Sequence, residues 1–473
     1  MLFNSVSFLV YFPLVTLTYF LLPHRARWVQ LLLVSCLFYM AFVPAYVLIL
    51  LAMIGIDYAA GLALEATAGG AKRAVLAVSL VTNVGVLAAF KYAPALWTWL
   101  ADLTGTGHPP IWVTAVLLPV GLSFHTFQAM AYTIDVYRGV APAERHLGVY
   151  ALYVLFYPQL VAGPIERPNQ LMPQFRAHHR FEPDRVAHGL TRMLWGLFKK
   201  MAIADRIAPF VDAAYSNPAT AGRGRLLLAT YLFAVQIYCD FSGYTDVALG
   251  AARVMGFQLM ENFDRPYLAV SVSDFWRRWH RSLSYWFRDY LYIPIGGSRV
   301  PPWRWAINIL VVFGLSGFWH GAGLAFMTWG LLHGAYLIAE RWTATARDRL
   351  SAVVGLTGMA RQAVGMLVTF HLVCFAWIWF RAGTLGQGWA VVRGLFGGAT
   401  GPSTVTLDHH ALNVTLVLAG FAVAVQVVRR NHRIDHFAAS FPIWLRWPAL
   451  YGLALTILWV GVLGQRTFIY FQF

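Results

Sequence analysis

The sequence predicts an all-α, polytopic membrane protein, from its composition, its long apolar runs and the placement of its basic residues. Of 473 residues, 59% belong to the hydrophobic set and only 12% are charged, against about 45–50% and about 25% in ordinary soluble domains. A soluble fold needs a charged shell to stay dispersed, and a chain with half the usual charge does not have one. Aromatic residues reach 16%, including 19 Trp, which suits a chain with two membrane interfaces to line. A net charge of +16 would suggest nucleic-acid binding in a soluble protein. Here the basic residues gather in loops between apolar runs, so the positive-inside bias accounts for them and no nucleic-acid partner is expected.

A helical crossing needs about 20 predominantly apolar residues. Runs at 5–22, 28–43, 45–65, 74–93 and 111–136, then 225–252, 363–380, 410–428 and 446–464, meet that need. The N-terminal stretch has no basic leader or small-residue cleavage site, so the run from Ser5 to Leu22 reads as a retained span. Arg25 and Arg27, Lys72 and Arg73, then Arg138 and Arg145 mark alternate loops, and Arg429, Arg430 and Arg433 mark another. With those loops in the cytoplasm, the N-terminus falls outside it. Cys36, Cys239 and Cys374 show no CxxC spacing, so neither a disulfide framework nor a zinc site is expected. No inserted domain or repeat is visible, and residues 1–473 read as a single transmembrane domain.

Two stretches depart from the pattern. Gly148 to Gly163 is flanked by basic segments on both sides and ends in Pro164, so it is expected to enter and return on one side. Such backbone survives only inside protein or beside water, because lipid offers nothing to its N–H and C=O groups. Residues 256–304 are too polar to span and too aromatic for an ordinary loop, and read as helices in the cytoplasmic interface.

Chemistry concentrates in three places. Read as one helix, Ser271 to Arg288 puts Trp276, Trp279, Leu283, Trp286 and Tyr290 on one face. Arg277, His280, Ser284 and Arg288 fall on another, and Asp274 stands four residues before Arg278, within ion-pair reach. Either this is an interfacial helix with Arg on lipid phosphate, or His280 and Arg277 sit at a cavity mouth where Arg holds a phosphate-bearing donor. The second place is Trp305 to Trp342, two apolar flanks around Gly314-Leu-Ser-Gly-Phe-Trp-His320-Gly-Ala-Gly323. It reads as a hairpin or broken helix, with glycines allowing close backbone approach. An ionisable residue at membrane depth is a functional candidate by default; the alternative for His320 is a hydrogen bond between helices. His125, His333 and His371 read as such structural histidines. Third, Gln236, Asp240 and Tyr244 share a helical face near Asp246. An interhelical hydrogen-bond network is expected there rather than a proton relay, with Asp205, Lys199 and Lys200 at an interface. His179 to Asp184 matches an HxxxxD acyltransferase spacing, but lies in a charged loop with Pro183 inside it and is set aside. No HExxH, P-loop, GxSxG or dinucleotide fingerprint occurs.

Several segments together resemble the membrane-bound O-acyltransferase (MBOAT) family, in its bacterial branch concerned with alginate-type O-acetylation. They are Phe156-Tyr-Pro-Gln-Leu-Val-Ala-Gly-Pro-Ile165, Asp240-Phe-Ser-Gly-Tyr-Thr-Asp246, Asn262-Phe-Asp-Arg-Pro-Tyr267 and Asp274-Phe-Trp-Arg-Arg-Trp-His-Arg-Ser-Leu-Ser284. Arg288-Asp-Tyr-Leu-Tyr-Ile-Pro-Ile-Gly-Gly297, Gly317-Phe-Trp-His-Gly-Ala322 and Phe468-Ile-Tyr-Phe-Gln-Phe473 extend the match from end to end. The resemblance implies a ring of transmembrane helices around a central funnel, with His320 catalytic and His280 a second site position. It also implies a bacterial inner-membrane enzyme passing an acetyl group from a cytoplasmic thioester, acetyl-CoA or another, to an extracytoplasmic hydroxyl. That hydroxyl belongs to a polysaccharide or to a periplasmic acetyltransferase partner. No bound cofactor or metal is expected.

On this reading His320 is the general base. Arg277 and Arg281 hold donor phosphates, Asp274 and Ser284 line the donor site, and His280, Ser316 or Trp319 steadies the oxyanion. The rival reading is a transporter or flippase for acyl groups or lipids, with Asp240, Asp246 and His320 lining its path.

Overall fold

The computed structural model describes residues 1–105, 119, 121–160, 163–397, 409–428, 434–463 and 466–469. Every regular element among them is helical. Among the described residues, six helices are long and apolar enough to cross a membrane: Tyr46–Ala66, Gly69–Thr104, Arg223–Met255, Gly358–Arg381, His410–Val428 and Ile443–Val460. Their outer faces leave large apolar side chains uncovered, such as Leu48, Val81, Leu367, Val417 and Trp459. Lipid supplies the environment such faces need. The predicted runs 5–22 and 28–43 form the shorter helices Val6–Leu21 and His24–Met40. Of the run 111–136, the helix Leu122–Tyr137 is described, while 111–118 lie outside the described residues.

The described residues form two compact units, 1–193 with 244–260, and 194–243 with 261–473. In the first, the 148–163 stretch folds into the short helices Leu147–Leu155 and Tyr157–Leu160. All residues from 149 to 160 are buried, which is the condition under which non-spanning backbone is tolerated at this apolarity. A polar knot also lies within this unit: the Asp57 carboxylate accepts from Ser79 Oγ (2.6 Å) and from Asn83 Nδ2 (2.9 Å).

In the second unit, residues 302–342 form a helical hairpin, Pro302–His320 and Leu324–Trp342, with a three-residue turn. Glycines set its spacing. A Cβ on Gly317 would stand 2.3 Å from the Phe326 carbonyl oxygen, and one on Gly330 would stand 2.1 Å from that of Phe313. No side chain fits at either point, so the two backbones touch there, as small residues permit in membrane helices.

One expectation is corrected in this unit. Residues 271–288 are not one helix: Val272–Arg278 and Arg281–Phe287 are separated at His280, whose φ is +41°. The N–H groups of Arg281 and Ser282, orphaned at the new helix start, are taken up by the main-chain and side-chain oxygens of Asn262. The supposed single faces therefore dissolve, although Trp279, Leu283, Trp286 and Tyr290 are all buried. Lys199, Lys200 and Asp205 are 2–3% exposed. Burial is tolerated because Lys200 Nζ lies 2.8 Å from Asp205 Oδ1 and 2.5 Å from Asp240 Oδ1, while Lys199 donates to Ser242 Oγ.

Candidate active site

His320 is the last residue of Pro302–His320. It is 4% exposed and walled edge-on by Trp329 and Phe380, with ring centroids at 5.0 and 5.2 Å. Trp319 is a further ring neighbour at 4.8 Å. Behind this wall Trp329 stacks on Trp377 at 5.7 Å, and Trp377 meets Trp279 at 5.1 Å. Each such aromatic pair contributes about 0.5–1.5 kcal/mol beyond its buried area. The result is a rigid, apolar setting that holds one imidazole and keeps bulk water from it.

One turn before His320 on the same helix, Ser316 lines a cavity of about 250 Å³. Ser284, Ser273, Trp276 and Arg288 line it as well. The structure thus brings Ser284 and Ser316, predicted from separate motifs, into one space beside the His320 turn. The segment is fastened to the hairpin at several points. Glu340 Oε2 accepts from the N–H groups of Val272 (2.7 Å) and Ser273 (3.2 Å), capping Val272–Arg278 from another helix. Trp276 Nε1 donates to His333 Nδ1 (3.3 Å), and Asn308 Nδ2 donates to the carbonyl of Gly297 (3.2 Å). His333 thus bonds between helices, whereas His371 is exposed and bonds the Leu367 carbonyl of its own helix.

His280 is not among the residues that line this cavity. It is 1% exposed with its ring edge-on to Phe241 at 4.7 Å. Burial pulls its imidazole down to about 3, so the ring is neutral. Asp274 has both oxygens engaged, Oδ1 with Arg278 Nε (2.9 Å) and Oδ2 with the Val270 N–H (3.2 Å). The ion pair with Arg278 is the one its spacing predicts. Arg281 donates to Tyr285 Oη, and Arg277 is exposed. The set-aside pair His179 and Asp184 forms no site: His179 bonds the Gln174 carbonyl, and Asp184 is exposed in the first turn of a helix.

The motifs do not reveal everything. Trp329, Trp377 and Phe380 carry no polar signal to set them off from other apolar helix residues. Arg288 reaches the cavity through a π-helical turn, Arg288–Tyr292, that periodicity does not foretell. The Lys200 cluster is foreshadowed only by Gln236 and Asp240 sharing a face.

Comparison with known proteins supplies the family. The sequence model of the membrane-bound O-acyltransferase family matches residues 140–379, which include the second-unit elements just described. The chain is 37% identical to a probable alginate O-acetylase of Azotobacter vinelandii, over 91% of this chain and 85% of that one. It is 38% identical to the corresponding Pseudomonas aeruginosa protein, over 84% and 75%. A peptidoglycan O-acetyltransferase of Helicobacter pylori is 34% identical, over 84% and 80%. Helical spans, a buried histidine and these likenesses converge: the chain belongs to the membrane-bound O-acyltransferase family and is an O-acyltransferase.

Proposed function

We propose that this enzyme passes an acetyl group from a cytoplasmic thioester, acetyl-CoA or another, to an extracytoplasmic hydroxyl in alginate-type O-acetylation, from a bacterial inner membrane. The hydroxyl belongs to a polysaccharide or to a periplasmic acetyltransferase partner. The observation that carries the reading is His320 itself, an imidazole held in an aromatic wall at the end of a glycine-packed hairpin, in a chain of this family. His320 takes the proton of the acceptor hydroxyl as its oxygen attacks the thioester carbonyl carbon. The tetrahedral oxyanion then collapses, forming the ester and releasing the thiolate, which recovers the proton. General-base action of this kind contributes about 10²–10⁴-fold.

The apolar cavity beside Ser316 and Ser284 suits the uncharged arm of a thioester, and exposed Arg277 with Arg281 suits its phosphates. Ser316 supports the oxyanion through its place one turn from the base; Trp319 and His280 are the other donors of suitable type. Purified protein given labelled acetyl thioester and a hydroxyl acceptor forms a labelled ester, and His320→Ala lowers that rate at least 100-fold with membrane insertion unchanged. An active His320→Ala enzyme removes the base assignment. Movement of the acetyl group without any ester formed would favour the transport reading instead.

A further inference from the structure

The hairpin that carries His320 passes into Gly358–Arg381 through a short helix, Ala344–Val353, none of whose residues is buried. Ala346, Leu350 and Val353, at i, i+4 and i+7, share one face of it. Leu350 is 63% and Val353 86% exposed, so no described part of the protein covers that face. Two arginines flank the stripe, Arg347 three residues before Leu350 and Arg349 four residues before Val353. Asp348 falls on the opposite side and is ion-paired with Arg361. Among the described residues Arg347 and Arg349 pair with no carboxylate. Arg347 donates to the Glu340 carbonyl (2.6 Å) and to Thr343 Oγ1 (3.2 Å), neutral acceptors that leave its charge uncompensated.

The adjoining end of the hairpin has the same character. The Arg341 guanidinium lies over the Trp305 ring at 4.2 Å, so the start of Pro302–His320 and the end of Leu324–Trp342 meet here. Trp303 and Trp342 are 65% and 62% exposed, and Arg304 is exposed as well. Uncovered Trp beside Arg is the composition of a membrane–water boundary. The depth agrees. Only residues 354–357 separate this helix from Gly358–Arg381, one of the crossing helices. Four residues reach at most about 14 Å, and Gly355, with φ +67°, turns the chain within them. Ala344–Val353 is thereby held at the edge of the bilayer.

We infer that Ala344–Val353 lies in the membrane boundary and binds anionic phospholipid, with headgroup phosphate at Arg347 and Arg349 and acyl chain beneath Leu350 and Val353. Guanidinium takes phosphate in a two-pronged geometry. In phosphatidylcholine the positive choline beside the phosphate opposes two arginines; in phosphatidylglycerol nothing does, so the negative lipid is preferred. A soluble anion would answer the charge but leave the apolar stripe in water, whereas lipid answers both at once. An acidic protein would have to cover that stripe at the bilayer edge, where lipid already stands. The site is independent of the acyl transfer proposed above, and its binding is measured without turnover.

The test uses full-length Cys36→Ala protein carrying an environment-sensitive fluorophore on Ala352→Cys, an exposed position on the same helix. It is placed in phosphatidylcholine nanodiscs with a rising fraction of phosphatidylglycerol. The emission should shift to the blue and saturate. With Arg347→Gln and Arg349→Gln combined, the half-point should need at least fivefold more phosphatidylglycerol. With Leu350→Ser and Val353→Ser combined, the shift should fall by at least half. Lys72→Gln with Arg73→Gln removes the same charge from Gly69–Thr104 and should leave the titration unchanged. No dependence on phosphatidylglycerol, or equal titrations for the wild type and the Arg347/Arg349 protein, overturns the site. An equal loss in the Lys72/Arg73 protein reduces it to general surface charge and overturns it too. A shift produced by inorganic phosphate in pure phosphatidylcholine would assign the arginines to a soluble anion. Reversal of the lipid-induced shift by soluble polyglutamate would assign them to an acidic protein. Either result overturns the lipid site.

Discussion

His280 shows how one residue can be placed by its backbone as much as by its ring. A left-handed φ costs a non-glycine L-residue about 1–2 kcal/mol, and at +41° His280 carries that cost at the join of two helices. Both His280→Ala and His280→Gly remove the ring, but only glycine relieves the backbone. The glycine protein should therefore be the more stable of the two by about 1 kcal/mol, in denaturation monitored in detergent. This reverses the order expected inside a helix, so an alanine variant as stable as the glycine one contradicts the join. The acid response of the same residue has a fixed sign. Burial depresses the folded imidazole to about 3, below its ordinary value of about 6.5. The unfolded chain therefore binds the extra proton first, and stability present above about pH 6.5 is progressively lost as the pH falls toward 3. His280→Gln should flatten that part of the stability profile; an unchanged profile would show that the ring does not titrate this way. His320 could be singled out from its sequence surroundings, because glycines bracket a lone ionisable group in an apolar run. The break at His280 could not, because its cause is Asn262, a cap from outside either helix.

At the scale of elements, the hairpin is the part on which the site depends, and its glycines are unequal. A Cβ at Gly330 meets backbone at 2.1 Å, whereas one at Gly314 meets only the Leu331 side chain at an ordinary 3.5 Å. Gly330→Ala should thus force the helices apart at a cost of about 1–3 kcal/mol and lower acyl transfer by shifting His320. Gly314→Ala should leave both unchanged. Equal thermal stabilities for the two variants would remove close backbone contact as the cause. Glu340 makes the complementary link, one carboxylate oxygen capping the start of Val272–Arg278. Glu340→Ala leaves two helix-start donors without that partner and should cost about 1–3 kcal/mol, read as a lower melting temperature; Glu340→Gln should recover part of it. The hairpin itself was legible, since apolar flanks and central glycines are local signals. The buried Lys200 cluster was not: Lys200 and Asp240 are far apart in sequence, and only folding shows that their charges meet.

Over the whole molecule, a chain with 36 basic and 20 acidic residues must distribute its positive charge between two sides of a membrane. Cytoplasmic loops carry the excess of Lys and Arg in membrane proteins. The spans were therefore readable from apolar length, whereas loop charge gives their direction as an expectation. Arg347, Arg349 and Arg361 follow the hairpin and precede or begin Gly358–Arg381, so this stretch is expected in the cytoplasm with the start of Gly69–Thr104, which holds Lys72 and Arg73. The crossing by Gly358–Arg381 then puts Gly386 outside. After His410–Val428 returns to the basic 429–433 segment, Ile443–Val460 puts Leu463 outside as well. Single cysteines at Gly70, Ala352, Gly386 and Leu463, all exposed, test this in a Cys36→Ala background, where Cys239 and Cys374 stay buried. In intact spheroplasts a membrane-impermeant maleimide should label Gly386→Cys and Leu463→Cys, and should reach Gly70→Cys and Ala352→Cys only after lysis. Labelling of all four before lysis, or the opposite pair, would invert the orientation. The proposed thioester side and hydroxyl side would then have to exchange places.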